Sequence, residues 1–137
     1  MLTNSLPLVL LVDDDPMCHD MIDILKYETQ DYRFIKAFNG HQALELFKKF
    51  GDQIKLILLD LDLQDITGYE LLEIIRSDRK NKDIQIIIQT GFYYNKSDYN
   101  NVHWLQKPYA YQDLLKLINV CLKEELARLK KTTFDMS

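Results

Sequence analysis

The sequence predicts an α/β fold in which helices flank a doubly wound parallel sheet of five strands. Three observations carry this. Short apolar, β-branched runs recur at residues 8–12, 54–59 and 84–89, as strands buried on both faces require. Between and after them, apolar residues return at helical spacing: Cys18, Met21, Ile22 and Leu25; Ala43, Leu46, Phe47 and Phe50; Gly68, Leu71, Leu72 and Ile75. The two patterns alternate along the chain, which implies parallel strands joined by right-handed crossovers.

Taken in order, the first run feeds Asp13-Asp14-Asp15-Pro16, where Pro16 suits the first position of a helix and Asp15 its N-cap. Residues 32–38 alternate as a second strand, and Asn39-Gly40 breaks it. The third run, Ile54 to Leu59, ends abruptly in Asp60. A turn-rich segment, 62–67, follows, and a helix opens at Gly68. Asp83 separates that helix from the fourth run, which ends at Thr90-Gly91. The next residues, FYYNKSDYNN, lack an apolar stripe, so the fourth helix is expected to be shortened or irregular. Residues 102–106 form a fifth strand that ends at Lys107-Pro108. Leu114, Leu117, Ile118, Cys121 and Leu122 restore the helical stripe, which continues through Leu126 and Leu129. One domain is expected over 1–137, with its core at about 7–123 and a helical extension and tail at 124–137.

Composition narrows the function classes. With 17 basic and 21 acidic residues the net charge is −4, which argues against nucleic-acid binding by overall charge. The basic cluster Arg128, Lys130 and Lys131 reads as a solvated helix terminus. The opening residues have no basic n-region, and their apolar run stops at an acid triplet too early for a signal peptide or a membrane span, so a cytoplasmic protein is expected. Cys18 and Cys121 lack C-x-x-C spacing and read as reduced, core-facing small hydrophobes. His19, His41 and His103 have neither metal-ligand spacing nor a nucleophile partner and read as surface or half-buried residues.

The chemistry is expected at the strand ends. Asp13 and Asp14 follow the first strand, Asp60 the third, Thr90 the fourth and Lys107 the fifth, and a doubly wound sheet brings such ends to one edge. Crowded carboxylates oppose one another's ionisation, and a divalent cation with one ammonium relieves this. Mg²⁺ is the natural candidate, because it takes oxygen ligands and keeps open positions for phosphate oxygens. A carboxylate, Mg²⁺, a lysine and a hydroxyl around one point describe phosphoryl transfer.

VLLVDDDP, LILLDLDLQDITGYELL, IIIQTG and LQKPY, in this order and spacing, resemble the receiver domain of two-component response regulators. The resemblance covers roughly residues 7–123 and implies a flavodoxin-like (βα)5 fold with strand order 2-1-3-4-5. By the same resemblance Asp60 is the phosphoacceptor, taking its phosphoryl group from a histidine kinase or phosphotransfer protein. Asp13 and Asp14 hold Mg²⁺ with Asp60 and the backbone carbonyl of Asp62. Lys107 pairs with the phosphoryl oxygens, Thr90 is the switch hydroxyl, and Trp104 stands where the family has its switching aromatic. Gln64 replaces the family's usual loop proline and Thr67 its usual aspartate, changes that shape the loop and leave the chemistry intact. From size and alternation alone, Trp104 reads as partial core.

Two other classes fit parts of the pattern. Asp60-Leu61-Asp62 after a buried strand also looks like the nucleophile motif of haloacid-dehalogenase-type phosphatases, although here the acid pair lies upstream. A degenerate receiver would bind partners without being phosphorylated. Since no effector domain follows the last helix, output is expected to pass to another protein or to a second copy of the chain.

Overall fold

Seven residues, Ile54–Asp60, form β3 at the centre of the sheet, buried along almost their whole length. Around this strand the computed structural model, which describes residues 6–91 and 102–127, builds a five-stranded parallel sheet in the order β2-β1-β3-β4-β5. The remaining strands are β1 (Leu8–Val12), β2 (Arg33–Ala37), β4 (Gln85–Thr90) and β5 (Val102–Gln106). The principal α-helices among the described residues are α1 (Pro16–Leu25), α2 (Gly40–Phe50), α3 (Gly68–Arg76) and α4 (Tyr111–Cys121). The shortened helix expected between β4 and β5, with its aromatics Phe92, Tyr93, Tyr94 and Tyr99, lies outside the described residues. So do Leu129 and the basic cluster Arg128, Lys130 and Lys131.

Alternation along the strands divides the core in two. Leu8, Leu10 and Val12 of β1, Ile57 and Leu59 of β3, and Ile86 and Ile88 of β4 face the layer of α2 and α3, through Ala43, Leu71, Leu72 and Ile75. Val9 and Leu11, Leu56 and Leu58, and Ile87 face α1 and α4, through Ile22, Leu25, Leu114 and Ile118. Both faces of the central strands are therefore covered, which is why their sequences are apolar throughout rather than alternating. Trp104 on β5 packs half-buried against the α2–α3 layer.

The helix starts follow from their caps. Asp15 caps α1 by accepting from the Met17 N–H, with Pro16 next to it. Asn39 caps α2 through the Gln42 N–H, so Asn39-Gly40 both ends β2 and opens the helix. Thr67 caps α3 through the Glu70 N–H, which gives this unusual loop residue a structural role. β4 runs one residue further than its apolar run suggests, because Thr90 pairs in register with Gln106 of β5. Past Leu122 the chain resumes helix over 123–127, and Leu126 packs half-buried on the α1–α4 layer. Among the described residues no helix is long and apolar enough to cross a membrane.

Candidate functional site

In β1 and β3, Val12 pairs with Leu59, so Asp13 and Asp60 stand one step beyond that pair on neighbouring strands. Both continue the rows that face α1 and α4. Asp13 is 0% exposed and Asp60 6% exposed. Ligand oxygens of Asp13, Asp14 and Asp60 lie within 4.8 Å of one another. Lys107 arrives from the end of β5 and donates through Nζ to Asp13 Oδ2 at 2.9 Å, with Asp60 Oδ2 at 3.9 Å. The other Asp13 oxygen accepts from the Asp15 N–H at 2.9 Å. Asp60 Oδ1 accepts from the Asp62 N–H at 3.0 Å.

These contacts set the charges. Burial is the main influence pushing the Asp60 carboxyl up to about 6; the Asp13 charge adds to it, while the Asp62 amide and Lys107 pull the other way. Burial alone would lower Lys107, but the Asp13 hydrogen bond and charge, with Asp60 behind, outweigh it and push the ammonium up to about 12. Among the described residues Lys107 pairs with Asp13 and Asp60, and Asp14 adds a third carboxylate beside them, leaving the cluster rich in negative charge and furnished with oxygen donors. That donor set fits a hard divalent cation of the Mg²⁺ kind.

Thr90 is buried at the end of β4, and its carbonyl accepts from the Lys107 N–H at 2.7 Å. The ends of β4 and β5 are thereby joined at the two residues expected to flank a phosphoryl group. Asp62 is exposed, and its contact with Asp60 runs through the backbone amide.

Sequence reading missed several residues here. His19 is a correction: it is buried at 3% exposure, not at the surface. Its Nε2 donates to the Asp13 carbonyl at 2.6 Å and its ring stacks on Phe38 at 3.7 Å. The residue sits on α1 at a position that faces the sheet edge, and its partner is a backbone atom, which side-chain motifs cannot reveal. Asp65 was also missed. Its carboxylate accepts from the Gly40 N–H (3.0 Å), the His41 N–H (2.9 Å) and His41 Nδ1 (2.6 Å), pinning the β3–α3 loop to the start of α2. Burial opposes its ionisation, yet these bonds hold Asp65 well below the usual carboxylate range. Gly40 permits the contact, since a Cβ there would lie 2.1 Å from Ile66 Cγ1. His103 is half-buried and bonds Gln85. Both cysteines are free and half-buried, and burial first of all pushes Cys18 up to about 12 and Cys121 up to about 11, as inert thiols require.

Fold and strand-end cluster together define a signalling module of the two-component type. The chain belongs to the response regulator receiver domain family, whose model matches residues 9–119. It is 33% identical over 122 residues to the response regulator ArlR of Staphylococcus saprophyticus, covering 85% of this chain and 53% of that protein. To the DNA-binding dual master transcriptional regulator RpaA of Synechocystis it is 27% identical over 128 residues, covering 86% of this chain and 50% of that one. The chain thus spans about half the length of these relatives. Among solved structures, the CheY-like receiver domain protein of Methanospirillum hungatei is similar at a TM-score of 0.65 and 28% identity, over 93% of this chain and 99% of that one. The Vibrio cholerae chemotaxis protein CheY4 shares the fold, with a TM-score of 0.75, 24% identity, and coverage of 85% and 99%.

Proposed function

We propose that this receiver domain accepts a phosphoryl group on Asp60 from the phosphohistidine of a histidine kinase or phosphotransfer protein, and that the modification switches its binding to an output partner. The observation that carries this reading is the convergence of Asp13, Asp14 and Asp60 within 4.8 Å, with Lys107 laid across Asp13 and Asp60. An Asp60 carboxylate oxygen attacks phosphorus, the N–P bond of the donor breaks, and the imidazole leaves with the electron pair. The Asp62 N–H holds Oδ1 and thereby orients the carboxylate for attack. Lys107 balances charge on the phosphoryl oxygens, and the Thr90 hydroxyl donates to one of them. Asp13, Asp14, Asp60 and the Asp62 carbonyl would hold Mg²⁺, which when bound supplies positive charge at the transferring group.

Receiver domains are signalling domains, and this one is read as doing no chemistry beyond gaining and losing its own phosphoryl group. Kinase phosphohistidines are made from ATP, which favours a cytoplasmic setting for the reaction. Although RpaA is named as DNA-binding, the net charge of −4 favours output through a protein, or through a second copy of this chain, over direct nucleic-acid contact. Incubation with acetyl phosphate and Mg²⁺, read by intact mass, tests the assignment. The native chain should gain one phosphoryl group, and Asp60→Asn or added EDTA should abolish it. Label persisting in Asp60→Asn would sink the reading.

A further inference from the structure

We propose that Tyr109 and Gln89 are a positioning pair that sets the reach of the Lys107 ammonium toward Asp60, by tying the segment after β5 to the end of β4. The proposal rests on the phosphoacceptor reading of Asp60. Gln89 pairs in register with Asp60 and continues the row of Ile87, so it stands beside the site on the face that α1 and α4 cover. It is 0% exposed. Leucine would fill such a position without needing partners, whereas an amide must find them or leave buried polar atoms unsatisfied. Gln89 Nε2 has no partner among the described residues, and Oε1 accepts from the Tyr109 hydroxyl. The bond this amide does make runs to the residue two positions past Lys107.

A second tether lies next to the first, where the Lys107 N–H donates to the Thr90 carbonyl at 2.7 Å. Two consecutive residues of β4 therefore bracket Lys107 and Pro108. A lysine head rides on a flexible four-carbon stem, so its position depends on where the backbone launches it. Here it must span Asp13 at 2.9 Å and Asp60 at 3.9 Å. Burial is the main influence pushing the Tyr109 phenol far up, with Cys18, Asp13 and Asp60 adding to it, so the hydroxyl keeps its proton for donation to Gln89.

Two variants separate positioning from packing. Tyr109→Phe removes only the hydroxyl and strands the Gln89 amide. Combining it with Gln89→Leu replaces both partners by apolar groups and should return the melting temperature close to the native value. In this double variant, hydrogen exchange of the Lys107 amide in the phosphoryl-free protein should be faster by about tenfold, measured against the Leu10 and Leu58 amides so that global loosening is subtracted. The initial rate of labelling by acetyl phosphate with Mg²⁺ should fall by about tenfold. Either quantity staying at its native value overturns the proposal. If the native chain takes no label at all, it is the phosphoacceptor reading that has failed, and the Lys107 exchange comparison still decides whether the tether exists.

Discussion

Lys107 Nζ lies 2.9 Å from Asp13 Oδ2 and 3.9 Å from Asp60 Oδ2, so in this structure the site's lysine is engaged by the fully buried Asp13 and leans toward the acceptor. Asp13 spends its other oxygen on the Asp15 amide. The proposed acceptor is therefore held on one oxygen by the Asp62 amide, while the cation stands near the other.

Removing that cation should be costly. Lys107→Met leaves Asp13 buried without its partner, and because Lys107 is itself a quarter exposed the loss should be about 2 kcal/mol, below the range for fully buried pairs. Adding Asp13→Asn to Lys107→Met should recover most of it. Urea unfolding of the native chain and these two variants checks this, and a double variant no more stable than Lys107→Met would contradict the pairing.

The pH dependence of Asp60 has a definite sign. Its folded value is raised to about 6 from 3.8, so the folded chain keeps a proton that the unfolded chain has lost. Stability from this group is full below about pH 4 and declines as pH rises through 6, by on the order of 2 kcal/mol. Asp60→Asn should remove the decline and melt higher than the native chain at pH 7.5 without metal. Labelling by acetyl phosphate should also slow as pH falls, since only the carboxylate attacks, with the fall displaced below pH 6 because bound Mg²⁺ favours the ionised form.

Mg²⁺ should counter the same repulsion. Binding to the folded chain at a hundredfold excess over its dissociation constant should add about 2.7 kcal/mol, seen as a raised melting temperature. Asp14→Asn should lose most of that increment and melt higher than the native chain when metal is absent. Equal melting of the native chain with and without Mg²⁺ would count against the cluster as a metal site.

The loop after Asp60 should be sensitive at two positions. A Cβ at Gly68 would meet the Asp60 carbonyl at 2.6 Å and the Leu61 Cα at 2.7 Å, both backbone, so Gly68→Ala should cost about 2 kcal/mol or more and slow labelling by displacing β3. Asp65→Ala removes the acceptor from the start of α2 and should cost about 1–2 kcal/mol. Thermal melts with labelling rates distinguish them: Gly68→Ala should impair both, Asp65→Ala mainly stability.

By itself the sequence determined the sheet, the helices α1 to α4 and the groups at the sheet's carboxyl edge. Those signals are local: an apolar run ending in an acid at Asp60, a proline after Asp15, and a helical stripe after Gly68 report what each segment buries, and the βα alternation leaves few ways to assemble them. Asp13, Asp14, Asp60, Thr90 and Lys107 were legible because each directly ends a strand or lies in the first residues beyond one. Tertiary structure alone decided which of these groups touch. That Lys107 engages Asp13, that His19 is buried against the Asp13 carbonyl, that Asp65 reaches back to Gly40 and His41, and that Gln89 meets Tyr109 all depend on segments distant in the chain meeting across the sheet edge. A polar side chain's partner is set by where another backbone passes, often through an amide or carbonyl that every residue carries alike. Composition and periodicity hold no record of that meeting.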